Sequence, residues 1–235
     1  MKLSRVLRVV IATLTVVMLL GGSASGLGVV IPTISWTPAP LSLDAGVAED
    51  GVAIDGNLVA WEYGSSIRVR NLATGVLRTI PDSGGGQYDP DISGDRVVYM
   101  DDGAGNDDIL MYHWSTNSVT TVRATAAEER YPKIDGNQVV WWDATNNDLW
   151  GRDYDMSGFG TALQLTSGWD AMEYDVDNGR AVFVSTVGAG PYGMYIRQLV
   201  PLGDWGSSVY SFSDPVASIE MHGDRVVAEV GAATD

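Results

Sequence analysis

The 235-residue chain has no cysteine, so disulfides, thiolate metal sites and thiol nucleophiles are excluded. Histidine occurs only as His113 and His222, and neither stands in an HExxH or other multi-histidine metal spacing. No GxSxG, P-loop or GxGxxG opening a helix is present, and a Ser-His-Asp triad cannot be read from the order of residues. Lysine is nearly missing, with Lys2 and Lys133 the only two. Against 14 Lys and Arg stand 30 Asp and Glu, a net charge of −16. Such a surface repels nucleic acid and anionic membranes, which excludes both as partners. Beyond the N-terminus no window of twelve or more residues carries helical periodicity, so the expected fold is all-β.

The one long apolar run is N-terminal. Lys2, Arg5 and Arg8 precede Val9–Leu20, and the small residues Gly22, Ser23, Ala24 and Ser25 follow it. A basic start, an apolar run too short for a comfortable span and a small-residue cleavage site form a secretory signal, here 1–25; an uncleaved anchor is the alternative. Cleavage removes three basic residues and no acid, leaving Lys133 as the sole lysine. The expectation is an exported protein (secreted, periplasmic or cell-surface), stabilised by a core without disulfides.

What the chain does have is a repeated phrase. It reads "AIDGNLVAWEY" at Ala53–Tyr63, "DISGDRVVYMD" at Asp91–Asp101 and "KIDGNQVVWWD" at Lys133–Asp143, with weaker copies at Asp175–Ser185 and Glu220–Val230. Trp61, Tyr99, Trp141, Phe183 and Ala228 then fall in register, spaced by 38, 42, 42 and 45 residues. A period near forty matches one four-stranded propeller blade. The short apolar runs suit strands covered on both faces. Asp55-Gly56, Ser93-Gly94 and Asp135-Gly136 mark hairpin turns before the second strand. Third strands follow at "SIRVRNL", "DILMYHW", "DLWGRDY" and "GMYIRQL", and fourth strands at "VLRTI", "SVTTV", "ALQLT" and "SVYSF".

The stretch "ISGDRVVYMDDGAGNDDILMYHWSTNSVTTV" resembles the TolB-like β-propeller repeat of exported bacterial and archaeal proteins. The likeness is close in the units at Asp91 and Lys133, fair at Ala53 and loose at Asp175. It implies a propeller of four-stranded blades. TolB itself carries a further partner-docking domain for which this chain has no room, so its role is not implied. Trp142-Asp143 ends a second strand and lacks the Gly-His of WD40 repeats.

These readings predict one domain, 26–235, with blades starting near 51, 91, 133 and 175. The fifth copy holds only two strands, and an open half-blade exposes a raw sheet edge. A five-bladed ring results if 29–50 supplies the other two strands to 218–235; a truncated chain is the alternative.

Tyr88, Tyr131 and Tyr174 each precede an innermost strand, and Trp169 lies in the same class of loop, with Asp91 and Asp175 beside them. Rings next to carboxylates suit sugar recognition at one mouth of a central channel, and the alternative is that the rings wedge between blades. The loop "DDGAGNDD" offers Asp101, Asp102, Asp107 and Asp108 as hard oxygen ligands for Ca2+. Asp, Asn and Gly are equally what tight turns require, and the loop lacks the order of a calcium-binding hand. With no catalytic constellation, the expected function is an exported binding module for a carbohydrate or protein at the cell surface. The alternatives are a polysaccharide lyase or glycosidase using mouth carboxylates, and a structural unit of a larger surface assembly.

Overall fold

The computed structural model describes residues 47–155, 158–168, 171–185, 192–199 and 210–230. The chain divides into two compact units, Met1–Glu49 and Asp50–Asp235. The expected signal sequence, the segment 29–46 and Trp169 lie outside the described residues. The described strands belong to the second unit, with Glu49 at its border.

Every described element is a strand, and the sheets follow one another along the chain. The first sheet is β1 (Glu49–Asp55), β2 (Leu58–Tyr63), β3 (Ser66–Asn71) and β4 (Leu77–Thr79). The second is β5 (Gln87–Ser93), β6 (Arg96–Asp101), β7 (Asp108–His113) and β8 (Ser118–Arg123). The third is β9 (Glu129–Asp135), β10 (Gln138–Asp143) and β11 (Asp148–Asp155), with the short β12 (Gly158–Phe159) and β13 (Leu163–Gln164) both on β11. The fourth is β14 (Ala171–Asp177), β15 (Arg180–Ser185), β16 (Tyr192–Gln198) and β17 (Tyr210–Phe212), and the last is β18 (Val216–His222) with β19 (Arg225–Val230). Strands pair antiparallel with their sequence neighbours, which is the meander of a propeller blade.

The second strands of the second, third and fourth sheets divide their side chains between two neighbours, because successive residues point to opposite faces. Val97 and Tyr99 pack toward the first sheet with Ala60, Ile67 and Val69, while Val98 turns to the third with Val139 and Trp141. Val140 and Phe183 share the interface between the third and fourth sheets, and Val182, Val184, Ile219 and Met221 share that between the fourth and fifth. Trp61, Tyr99 and Trp141 are all fully buried and Phe183 is 1 % exposed. The continuous apolar runs therefore reflect strands buried on both faces.

The repeated turn dipeptide has a second task besides turning. Gly56, Gly94, Gly136 and Gly223 open their two-residue turns with positive φ, and Asn178-Gly179 has positive φ at both positions. In the first four sheets the residue before the turn then accepts a hydrogen bond from the next sheet's turn: Asp55 Oδ2 from Gly94 N–H (2.7 Å), Ser93 Oγ from Gly136 (3.0 Å), Asp135 Oδ2 from Asn178 (2.7 Å) and Asp177 Oδ2 from Gly223 (2.5 Å). The phrase thus repeats because every copy turns a hairpin, and each copy after the first fastens that hairpin to the copy before.

Candidate functional site

On the face opposite these turns, the starts of the innermost strands converge. Pro90 and Pro132 lie inside the edge strands β5 and β9, where a residue without N–H is tolerated only if the ladder does not need that donor, as at a bulge. The ladder accordingly skips: Tyr88 pairs Met100 and Asp91 pairs Val98, with Asp89-Pro90 bulged out between them. Arg130 likewise pairs Trp142 and Lys133 pairs Val140, with Tyr131-Pro132 between. Asp89 (φ 49°) and Tyr131 (φ 52°) are left-handed, as is Gly51 (φ 52°) at the same place in β1. For a tyrosine that backbone is strained, and such strain persists only where the surroundings enforce it.

Gly51 and the two bulges border a cavity of ≈ 440 Å³, lined also by Lys133, Glu173 and Tyr174. It adjoins a second hollow of ≈ 500 Å³ that shares Gly51, Asp89 and Tyr131 and adds Asp50, Glu62 and Tyr88. A Cβ on Gly51 would come within 2.7 Å of Glu62 Oε1; glycine leaves room for that carboxylate to accept the Asp89 N–H at 2.8 Å. Tyr131 is 47 % exposed, and its ring stacks on Trp142, centroids 5.9 Å apart and 14° from parallel.

Burial raises the carboxyl groups of Glu62, Asp89 and Glu173 above the ordinary range. Lys133 opposes the shift at Asp89 and Glu173, while neighbouring acids such as Asp50 reinforce it at Glu62 and Asp89. Lys133, one of only two lysines in the chain, therefore stands among acids at this mouth.

The structure separates the expected site residues by role. Tyr88, Tyr131 and Tyr174 lie within innermost strands, not before them, because the bulges let pairing continue. They are not equivalent positions: by register Tyr88 matches Arg130, and Tyr131 matches Asp89. Tyr174 is 8 % exposed, and its hydroxyl donates to the Tyr131 and Arg130 carbonyls, holding the bulge that presents Tyr131. Asp91 Oδ2 accepts from Ile134 N–H (2.8 Å) and Asp175 Oδ2 from Met221 N–H (2.7 Å), each tying its sheet to the next.

In the acidic loop, Asp101 binds the Ser83 hydroxyl (2.6 Å) and the Gly103 N–H (3.0 Å), and Asp102 takes the Gly86 N–H (2.5 Å). Asp107 pairs with Arg130, and Asp108 accepts from Asn106 (3.2 Å). Among the described residues no group of three or more acidic or histidine side chains is arranged to hold a metal ion. His113 sits half-buried against Tyr154 with centroids 5.4 Å apart, and His222 ends β18 as the residue before a turn. Sequence reasoning missed Glu62 and Gly51; the only advance signal was at Asp89 and Tyr131, where a proline follows inside a strand pattern.

No protein-family model and no curated protein matches the chain. Among solved structures it is similar to TolB from Acinetobacter baumannii (16 % identity, TM-score 0.51, covering 82 % of this chain and 53 % of that one). It is also similar to the β-propeller domain of the Trilobed protease from Pyrococcus furiosus (12 %, 0.54, 75 % and 62 %). A nidogen/laminin complex gives 13 % identity and a TM-score of 0.53 over 75 % of this chain and 68 % of that one. The chain spans little more than half the length of the TolB chain. At these identities the likeness defines the fold: an all-β protein of antiparallel four-stranded sheets, consistent with a β-propeller.

Proposed function

We propose that this propeller is an exported binding module of the TolB-like type, and that it seats a cell-surface carbohydrate or protein at the mouth around Tyr131. The observation that carries the proposal is Tyr131 itself. A bulky residue is held in a left-handed bulge, braced beneath by Tyr174 and on one side by Trp142, so that its ring faces an open cavity. A pyranose packs on such a ring face while Asp89 and Glu173 accept its hydroxyls.

Tyr131→Ala and Tyr131→Gly are expected to weaken binding to a panel of immobilised polysaccharides by at least about tenfold, the loss of roughly 1.4 kcal/mol of ring contact. Tm should move by no more than about 2 °C. Unchanged binding to every captured polymer, or a collapse of the melt in both variants, would refute the assignment.

A second reading rests on Asp89 and Glu173, two carboxyl groups held up by burial beside one cavity. A raised carboxyl is what a general acid for glycoside cleavage requires. New reducing ends released from a polymer by the native protein and not by Asp89→Asn would establish that chemistry. Silence on neutral and acidic polymers alike would count against it.

A further inference from the structure

The second strand of the last sheet is exposed as none of its counterparts is. Val227 holds the repeat position of Ala60, Val98, Val140 and Val182; those four are 0 % exposed, and Val227 is 70 % exposed. Among the described residues β19 pairs only with β18. Its sequence is RVVAEV. Val226 and Ala228 pack toward the fourth sheet, which puts Arg225, Val227 and Glu229 on the opposite face.

The hairpin also determines which backbone groups point outward. His222 and Arg225 flank a two-residue turn and exchange hydrogen bonds, so the N–H and C=O groups of Arg225, Val227 and Glu229 face β18. Those of Val226 and Ala228 face away from it.

We propose that β19 is a self-association edge, at which two copies of the chain pair antiparallel about a two-fold axis through Val227. This register sets Val226 opposite Ala228 of the second copy, twice, giving four backbone hydrogen bonds from the groups that face outward. Val227 meets its own counterpart in the close, non-hydrogen-bonded position. Arg225 faces Glu229 of the second copy, and Glu229 faces Arg225, so both charges on the strand find an opposite partner on the same face. Moving the axis by one residue in either direction sets a charge against Val227 and leaves the ion pairs unmade. The product is a four-stranded sheet, β18-β19 joined to β19-β18, the strand number that the first, second and fourth sheets reach alone. An isologous contact of this kind closes on itself and leaves no edge for further growth.

The test is sedimentation equilibrium of the purified full-length protein between about 1 and 100 µM. A reversible dimer is expected. Arg225→Glu sets carboxylates against each other twice and should raise the dimer dissociation constant at least about tenfold. Arg225→Glu combined with Glu229→Arg should restore it to within about threefold of the original. Both residues are exposed, so the monomer melt should not move in either variant. A monomer at the highest concentration, a dimer indifferent to Arg225→Glu, or a double variant no tighter than the single one would each overturn the proposal. So would a monomer whose Val226 and Ala228 amides resist hydrogen exchange, since the edge would then be covered within one chain.

Discussion

Trp141→Ala is expected to lower the unfolding free energy by about 3–5 kcal/mol, the range for emptying a fully buried indole site. Trp141 is 0 % exposed and packs with Val98, Ile109, Met111, Val122, Ile134 and Val139 at the seam between the second and third sheets. That seam is one of the two inner ones among the four that join the five described sheets. In an array whose stability comes from contacts between neighbouring units, loosening one middle seam uncouples the two flanks. The melt of the variant should therefore broaden or split as well as shift, with tryptophan emission and circular dichroism no longer coincident. A shift worth less than about 1 kcal/mol with coincident probes would mean that the neighbouring sheets close over the void. Tyr131→Ala supplies the contrast, since its ring stacks at an exposed mouth and not within a seam.

The second large effect is a gain of stability in mild acid. Glu62, Asp89, Asp91, Asp108, Glu129 and Glu173 all have carboxyl groups raised above the ordinary range, with burial the first cause in each. A group with a higher pKa in the folded state takes up its proton there first. Stability therefore increases as pH falls through the folded pKa toward the unfolded value of about 4, and it is lost again as pH rises. Glu128, lowered by the Asp107 N–H and by Arg130, works the other way, but it lies at the surface where solvent screens it. Falling net negative charge adds to the gain.

Tm at pH about 5.5 should exceed Tm at pH about 8, and Asp91→Asn should reduce the difference. The amide oxygen keeps the Ile134 N–H satisfied while removing a charge that burial disfavours. A Tm that falls steadily between those two pH values would show that the carboxylates are better stabilised folded than unfolded.

The fold was legible because its signals are local and recur. Asp55-Gly56 and Asp135-Gly136 announce their turns, and the unbroken apolar run in "RVVYM" follows from two buried faces. The site was legible only in outline. Tyr88, Tyr131 and Tyr174 look like one position written three times, yet the strands that carry them end at Ser93, Asp135 and Asp177, which sets the three rings at different registers. Which of them is turned out toward the cavity is decided by the bulge, and a bulge depends on how a strand meets its partner. Asp91 and Asp175 invite reading as ligands because they are acidic and near rings, whereas the hydrogen bonds that engage them come from residues 43 and 46 positions away. Glu62 gave no sign, since it acts on a backbone N–H in the next sheet.

The turn-to-turn fasteners bear on how such a molecule is assembled over generations. Each of the three middle copies brings an acceptor at the end of its first strand and a donor N–H in the turn just beyond it, one for the unit after it and one for the unit before. A whole copy duplicated in place would thus arrive with both halves of its connection, and the interrupted junction would be remade on either side without a compensating substitution. Gain or loss of an entire unit is in this respect a gentler event than replacing one aspartate within it, which strands a partner two score residues away.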